Sequence, residues 1–189
     1  PMFKPLVDIR ARIYDMQHEA ATASKMVYRD DDGEQYSIDS YVDDEGRVYH
    51  CPIVHIKTGK QIGFDDFFGY RQMTPTRLKK SSEADAQLVC ERAIKALRLK
   101  SCTAHIELMR TEEGWKVIEL GPRVGGFRED LYKNSFGFDH ALNDILVRIG
   151  QKPKIKKKVL GYTAALKVFS KNEGTITSLK GVNALKKLE

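Results

Sequence analysis

No run of about 18 consecutive apolar residues occurs anywhere in the 189-residue sequence, so a membrane-spanning helix is not encoded. Cysteine is scarce. Cys51, Cys90 and Cys102 are an odd number at wide spacing, without a C-x-x-C pair, which argues against a disulfide framework, a zinc knuckle or a redox couple. They read as small, buried, inert side chains in a reducing cytoplasm. The first residues, Pro1-Met2-Phe3-Lys4-Pro5-Leu6, lack the apolar core and cleavage site of a signal peptide, so export is not expected. There is no internal repeat and no low-complexity segment, and no Ser-His-Asp or Cys-His arrangement that would signal a nucleophilic enzyme. What remains, 41% hydrophobic and 31% charged residues, suits a soluble globular protein with one substantial core or two small ones.

The net charge of +6 is unevenly spread. Residues 150–189 carry ten lysines against Glu173 and Glu189, which leaves the rest of the chain slightly acidic. A basic tail can contact nucleic acid or an acidic surface. The run Lys152 to Lys158 has no interleaved aromatics, however, and reads equally as a solvated linker or a lysine-guarded edge strand, so a nucleic-acid partner is not the expected one.

Two hairpins stand out. Tyr36 to Val42 is rich in aromatic and β-branched residues, turns at Asp44-Glu45-Gly46 and returns through Arg47 to Val54; a three-residue loop closed by glycine suits a type I turn followed by a left-handed residue. Residues 65–78 read as an irregular connection whose aromatics either pack in the core or lid a pocket. From Ser82 the period becomes helical, with Ala86, Val89, Cys90, Ala93, Ile94 and Leu97 on one face and Ser82 to Asp85 resembling a capping box. A second helix is expected over Asp139 to Ile149, capped by Asp139 and stopped by Gly150, with Ala141, Leu142, Ile145, Leu146 and Ile149 inward.

The most informative stretch lies between those helices. Thr103 to Arg123 alternates with period two on both sides of Glu112-Glu113-Gly114, again a loop closed by glycine. Pairing Thr111 with Trp115 sets Leu108 opposite Ile118, Ile106 opposite Leu120 and Glu107 opposite Glu119. One side of this ribbon is apolar; the other carries His105, Glu107, Glu119 and, past the strand end, Arg123. Two carboxylates about 5 Å apart at Cβ repel each other unless water screens them or a cation joins them. Mg²⁺ takes one or two carboxylates and fills its remaining positions with phosphate oxygens and water. The alternative is a solvated strand face neutralised by Lys116 or Arg110. Arg123, Gly125 and Gly126 follow at once, residues that can hold an oxyanion and admit a close backbone approach. His55 and Lys57, at the end of their strand, could reach phosphate or substrate, while His18, His50 and His140 read as ordinary surface or helix residues.

Ala104-His105-Ile106-Glu107-Leu108 followed by Val117-Ile118-Glu119-Leu120-Gly121-Pro122-Arg123-Val124-Gly125-Gly126 resembles the ATP-grasp signature, a strand glutamate followed after a hairpin by Ile-Glu-x-Asn-x-Arg. Upstream, Gly33 to Asp43 resembles that family's Gly-x-Glu-Tyr-Ser-Val-Asp segment. The resemblance implies an α+β fold, an antiparallel sheet with helices packed on one face, as in the ATP-grasp carboxy-terminal lobe. It further implies ATP and Mg²⁺ as cofactors, with Glu107 and Glu119 as the metal ligands and Arg123 as the catalytic residue near the terminal phosphate or acyl phosphate. Lys4, in Phe3-Lys4-Pro5, resembles the family's strand lysine on the ATP phosphates, and Lys57 joins it as a nucleotide contact. Where the family pattern has asparagine as a further metal ligand, this chain has Gly121.

No glycine-rich phosphate loop separates Lys4 from Gly33. Residues 1–32 are therefore expected to be a loosely attached remnant of the preceding lobe or a linker, 33–150 the carboxy-terminal lobe, and 151–189 a basic extension with a β-hairpin. The implied activity is that of a ligase forming an acyl phosphate from a small-molecule carboxylate and transferring the acyl group to an amine or similar nucleophile. The alternatives are an incomplete ATP-grasp domain that binds nucleotide or a partner without catalysis, and a basic nucleic-acid-binding module.

Overall fold

The computed structural model describes residues 33–64, 69–168, 173–175, 177–178 and 180–185. The expectations placed on residues 1–32, Lys4 among them, lie outside these residues. The central strand, β1 (Glu34–Val42), alternates small polar with large apolar side chains and is buried from Tyr36 to Val42 on both faces. Tyr36, Ile38 and Val42 project to one side; Ser37, Asp39 and Tyr41 project to the other. Such a strand must be sandwiched, and it is. The long strand β5 (Cys102–Thr111) pairs antiparallel with it from Glu34↔Arg110 to Val42↔Cys102. Around these lie β2 (Val48–His50), β3 (Val54–Thr58), β4 (Gly69–Thr74), β6 (Gly114–Gly121) and β7 (Thr163–Leu166). The sheet runs β6-β5-β1-β3-β4-β7, with β2 paired to the far end of β1.

Helix α1 (Lys80–Ala96) covers the apolar face. Ala86, Cys90 and Ile94 interlock with Ile38, Val42, Ala104, Ile106 and Leu108, as the helical stripe predicts. Each fully buried aliphatic here contributes about 1.5–3 kcal/mol. Helices α2 (Arg128–Phe136) and α3 (His140–Arg148) cover the opposite face, where Leu131, Tyr132, Phe136 and Val147 pack on Tyr41 and Val54. The antiparallel α+β layering is as expected, with the helices distributed over both faces rather than one, because Tyr41 and Val54 need burial as much as Ile38 does. A last short helix, α4, spans Val182–Leu185. Among the described residues no helix is long and apolar enough to cross a membrane.

Several local expectations are corrected. The return strand from Arg47 divides into β2 and β3 around Cys51-Pro52-Ile53, where proline has no N–H to donate. Gly46 does take the left-handed conformation its turn requires, φ 85°. Within the expected connection over 65–78, Gly69–Thr74 is a strand, paired to β3 and β7, and the absent side chain of Gly69 makes room for Ile56, whose Cγ2 would lie 2.9 Å from a Cβ there. Helix α1 begins at Lys80 from an uncapped Lys79, so the Ser82 to Asp85 box lies inside the helix. The extension past residue 150 contributes β7 to the main sheet instead of a hairpin of its own among the described residues.

In α3 the Asp139 cap is present, its carboxylate accepting the Leu142 N–H at 2.6 Å. The inward face is nevertheless His140, Asn143, Leu146 and Val147, whereas Leu142, Ile145 and Ile149 are 48%, 55% and 62% exposed. The three cysteines are free and buried, and burial pushes the thiols up, Cys90 to about 12 and Cys102 to about 11.

Candidate active site

The carboxylates come together through a register correction. The β5–β6 hairpin closes with two residues, Glu112 and Glu113, and pairs Thr111 with Gly114, one residue earlier than the expected Trp115. On that phase Glu107 would oppose Ile118. A β-bulge intervenes: Leu108 pairs with Val117 and Glu107 with Glu119, so Ile118 is the extra residue and the two glutamates share a face. Glu107 is 27% exposed; Glu119 and Arg123 are each 54% exposed and lie 3.8 Å apart, Nη2 to Oε1. Like charges directly opposite across a sheet are destabilising, so this pair is a place where a cation is welcome.

Glu107 is held on both oxygens. Gln35 donates to Oε2 at 2.9 Å, and His105 Nε2 faces Oε1 at 3.5 Å. The His105 contact holds the Glu107 carboxyl below its ordinary pKa against the opposing effect of burial. Among the described residues Glu119 is met only by Arg123.

Beneath His105 lies a carboxylate that the sequence reading did not single out. Asp39, opposite His105 across β1–β5, is fully buried. Its Oδ1 meets His105 Nδ1 at 2.6 Å; its Oδ2 meets His140 Nε2 at 2.8 Å and accepts the Gly125 N–H at 2.7 Å. Arg128 Nε stands 3.6 Å from Oδ1, while the rest of that buried guanidinium donates to Ser37, Gln72 and the Gly126 carbonyl. His140 in turn bonds the Tyr41 hydroxyl through Nδ1. Burial alone would raise the Asp39 pKa, but the two histidines and the arginine overcome it and hold the carboxyl far below the usual range. Burial lowers the His105 pKa, but its contacts with Asp39 and Glu107 outweigh burial and the nearby Arg128 and raise it above the ordinary value.

This cluster explains the two glycines differently. A Cβ on Gly125 would lie 2.5 Å from His105 Nδ1 and 2.8 Å from Asp39 Oδ1, so Gly125 is glycine because the buried ions need its space and its N–H. Gly126 has nothing within 4 Å of a Cβ and leaves its backbone open to approach. Gly121, which has no oxygen to offer, is overlain by Arg123, whose Cγ and Nε would sit 3.5 Å from a Cβ there.

The structure thus brings together Glu107, Glu119 and Arg123, with His105 beside them. It does not bring Lys57 to them. Tyr36 pairs with His55, so Lys57 shares the face of Tyr36 and His55, opposite the carboxylates, with Arg71 as its cross-strand neighbour. His55 stacks on Tyr36 at 4.8 Å on that far face. His140, read as an ordinary helix residue, is buried at the centre of the Asp39 cluster. The available signal was Asp39 itself, a charge set among aromatic and β-branched residues of a central strand.

As a metal centre the arrangement is partial: among the described residues no group of three or more His, Cys, Asp and Glu could enclose an ion. Two hard carboxylates on an accessible face nevertheless fit Mg²⁺, which needs few protein ligands when it arrives on phosphates.

Known structures share this fold at low sequence identity. The L-amino acid ligase from Bacillus licheniformis superposes with a TM-score of 0.68 at 22% identity, over 82% of this chain and 40% of that one. Phosphoribosylglycinamide synthetase from Anaerococcus prevotii gives 0.62 at 18%, over 75% and 36%. Biotin carboxylase from Campylobacter jejuni gives 0.56 at 15%, over 70% and 29%. The chain therefore spans less than half the length of these structures. No curated protein matches the sequence significantly. The model of the ATP-grasp domain matches residues 9–129, well over half of the sequence and inclusive of both glutamates, Arg123 and the Asp39 cluster residues up to Arg128, and the chain belongs to the ATP-grasp family.

Proposed function

We propose that this chain is the carboxy-terminal lobe of an ATP- and Mg²⁺-dependent ligase that activates a small-molecule carboxylate as its acyl phosphate and passes the acyl group to an amine or similar nucleophile. In such a reaction a carboxylate oxygen bonds to the γ-phosphorus as the bond to ADP breaks; the nucleophile then adds to the acyl carbon and inorganic phosphate leaves. The observation that carries the reading is the opposed pair Glu107 and Glu119 on one accessible face, with Arg123 at its end.

Glu107 and Glu119 are the residues that would hold Mg²⁺. Bound there, the ion would neutralise phosphate oxygens of ATP. Arg123, half exposed, with its guanidinium 3.8 Å from Glu119 and donating to the Val124 carbonyl at 3.1 Å, would turn to an oxyanion by giving up these surface contacts, and Gly126 lets the chain approach it closely. No nucleophilic side chain is needed, because such catalysis is positioning and charge stabilisation. The family membership and the fold shared with the L-amino acid ligase and with the β,γ-ATP complex of biotin carboxylase support the reading. Residues 33–150 would form the lobe, 1–32 would belong to the preceding lobe or a linker, and three free buried thiols suit a reducing cytoplasm.

The test is thermal denaturation with and without Mg-ATP, followed by ADP release in the presence of carboxylate and amine mixtures. Stabilisation by Mg-ATP that exceeds that by ATP alone, together with substrate-dependent ADP release, is the expected result; no effect of Mg-ATP would overturn it. A second reading, nucleotide binding without turnover, is favoured by Gly121 at the family's asparagine position, and stabilisation without ADP release from the full-length protein would establish it.

A further inference from the structure

Glu107 and Glu119 face each other but are not equivalent. Glu119 leans on one exposed arginine, whereas Glu107 has a restraint at each oxygen: Gln35 at 2.9 Å on Oε2 and His105 Nε2 at 3.5 Å on Oε1. His105 is itself fixed at its other nitrogen by Asp39 at 2.6 Å. Asp39 is immobile for a further reason. It is tied to two other segments of the fold, α3 through His140 and the Gly125–Arg128 turn through the Gly125 N–H and Arg128.

We propose that His105 and Gln35 are positioning residues that hold the Glu107 carboxylate in its metal-binding orientation, with Asp39 setting the His105 ring. Glu107 is the pre-set ligand and Glu119 the adjustable one. The role deepens the Mg²⁺ reading above and rests on it. Its logic is that of outer-shell carboxylate–histidine pairs, which aim a ligand before the ion arrives and whose loss costs about tenfold or more in metal affinity. A side chain locked before binding has less rotamer freedom to lose on coordination.

The two ring nitrogens of His105 can be removed one at a time. Asparagine places its amide near Nδ1, so His105→Asn retains a partner for Asp39 and loses the contact with Glu107. Glutamine places its amide near Nε2, so His105→Gln retains the Glu107 contact and loosens Asp39. Mn²⁺ serves as the probe, its binding in the presence of ATP followed by electron paramagnetic resonance, with the melting temperature of each metal-free protein recorded alongside. The expected result is a crossed pattern: His105→Asn binds Mn²⁺ about tenfold more weakly with the smaller loss of melting temperature, and His105→Gln melts lower but keeps affinity within about threefold of the native chain. Gln35→Leu, at a partly exposed position, is expected to weaken Mn²⁺ several-fold without altering the melting temperature. Should both His105 variants fail to fold, Gln35→Leu alone decides the matter. Metal affinity that simply follows melting temperature across the variants, or Gln35→Leu binding Mn²⁺ like the native chain, overturns the positioning role. Failure of the native chain to bind Mn²⁺ with ATP overturns the metal site itself, a distinguishable result.

Discussion

Replacing Glu119 by glutamine separates a metal ligand from a solvated surface charge and from a structural ion pair. In the apo protein two small effects oppose each other. Relief of like-charge opposition with Glu107 stabilises by about 0.2–1 kcal/mol. Loss of the exposed pair with Arg123, 3.8 Å apart with both side chains 54% exposed, costs a comparable or smaller amount, about 0–1 kcal/mol. The net change should stay within about 1 kcal/mol, or about 2–4 °C in melting temperature for a chain of this size. The ligand term is larger. At a hundredfold excess over Kd, bound Mg-ATP stabilises by about 2.7 kcal/mol, and each tenfold loss of affinity removes about 1.4 kcal/mol of it. Glu119→Gln should therefore leave the apo melting temperature nearly unchanged or slightly raised while removing at least half of the Mg-ATP-induced shift. Differential scanning fluorimetry of native and variant chains, each with ATP alone and with Mg-ATP, reads both quantities. An undiminished Mg-ATP shift in the variant refutes the assignment of Glu119 to the metal, and a fall of more than about 2 kcal/mol in the apo protein would make it a structural residue instead.

Gly121→Asn is expected to fold normally, since its Cβ meets only the flexible Arg123 side chain at 3.5 Å, and to bind Mn²⁺ several-fold more tightly by adding an amide oxygen; unchanged affinity in a metal titration would show that position 121 does not face the ion. Gly125→Ala should destabilise by about 1–3 kcal/mol in urea melts, because its methyl would lie 2.5 Å from His105 Nδ1 among groups that cannot withdraw; a neutral effect would contradict the packing described. Burial alone would raise the Asp43 pKa, but hydrogen bonds from Arg47 and Tyr49 bring it down to about 2. Its contribution is therefore present above the ordinary aspartate pKa of about 4 and lost as pH falls to about 2. Asp43→Asn should be the less stable protein at neutral pH and should lose less stability across that acid interval, so that the two melting curves converge near its lower end.

The parts of the site visible in the sequence were those where pattern and chemistry agree. The Ala86–Cys90–Ile94 stripe located the helix that covers the apolar side and Asp139 announced its own helix, while alternation around Glu112-Glu113-Gly114 put Glu107 opposite Glu119 from a closure one residue too late, a difference that the bulge at Ile118 makes up. What stayed hidden is polar burial. Reading α3 by hydrophobicity turned it the wrong way, because His140 and Asn143 go inward with their polar atoms fully met, His140 by Asp39 and Tyr41, Asn143 by the main chain of Lys154 and Asp139. Once each buried polar atom has a partner the usual penalty disappears, and periodicity of apolar residues no longer reports the inner face. Asp39 escaped notice for the same reason. Its four partners come from β5, α3, the turn before α2 and the first residue of α2, and none is adjacent to it in sequence.

The extra residue at Ile118 has a consequence for how this hairpin can change. Were Ile118 paired regularly on the phase of the Thr111↔Gly114 closure, it would oppose Glu107 and Glu119 would fall opposite Ile106, on the side sealed by α1, with the carboxylates on opposite sides of the sheet. The bulge is thus a phase corrector between a tip whose length is set by turn geometry and a base whose facing is set by chemistry. Deletion of the bulged residue would give a regular β6 in which Glu119 still meets Glu107 on the phase set by Thr111↔Gly114, whereas a one-residue insertion in β6 would turn Glu119 to the opposite face even though every functional side chain was still present. Related hairpins with a tip longer by one residue and a regular β6 would present the same two carboxylates, and spacing between the glutamates, taken without the tip, is a poor guide to whether they meet.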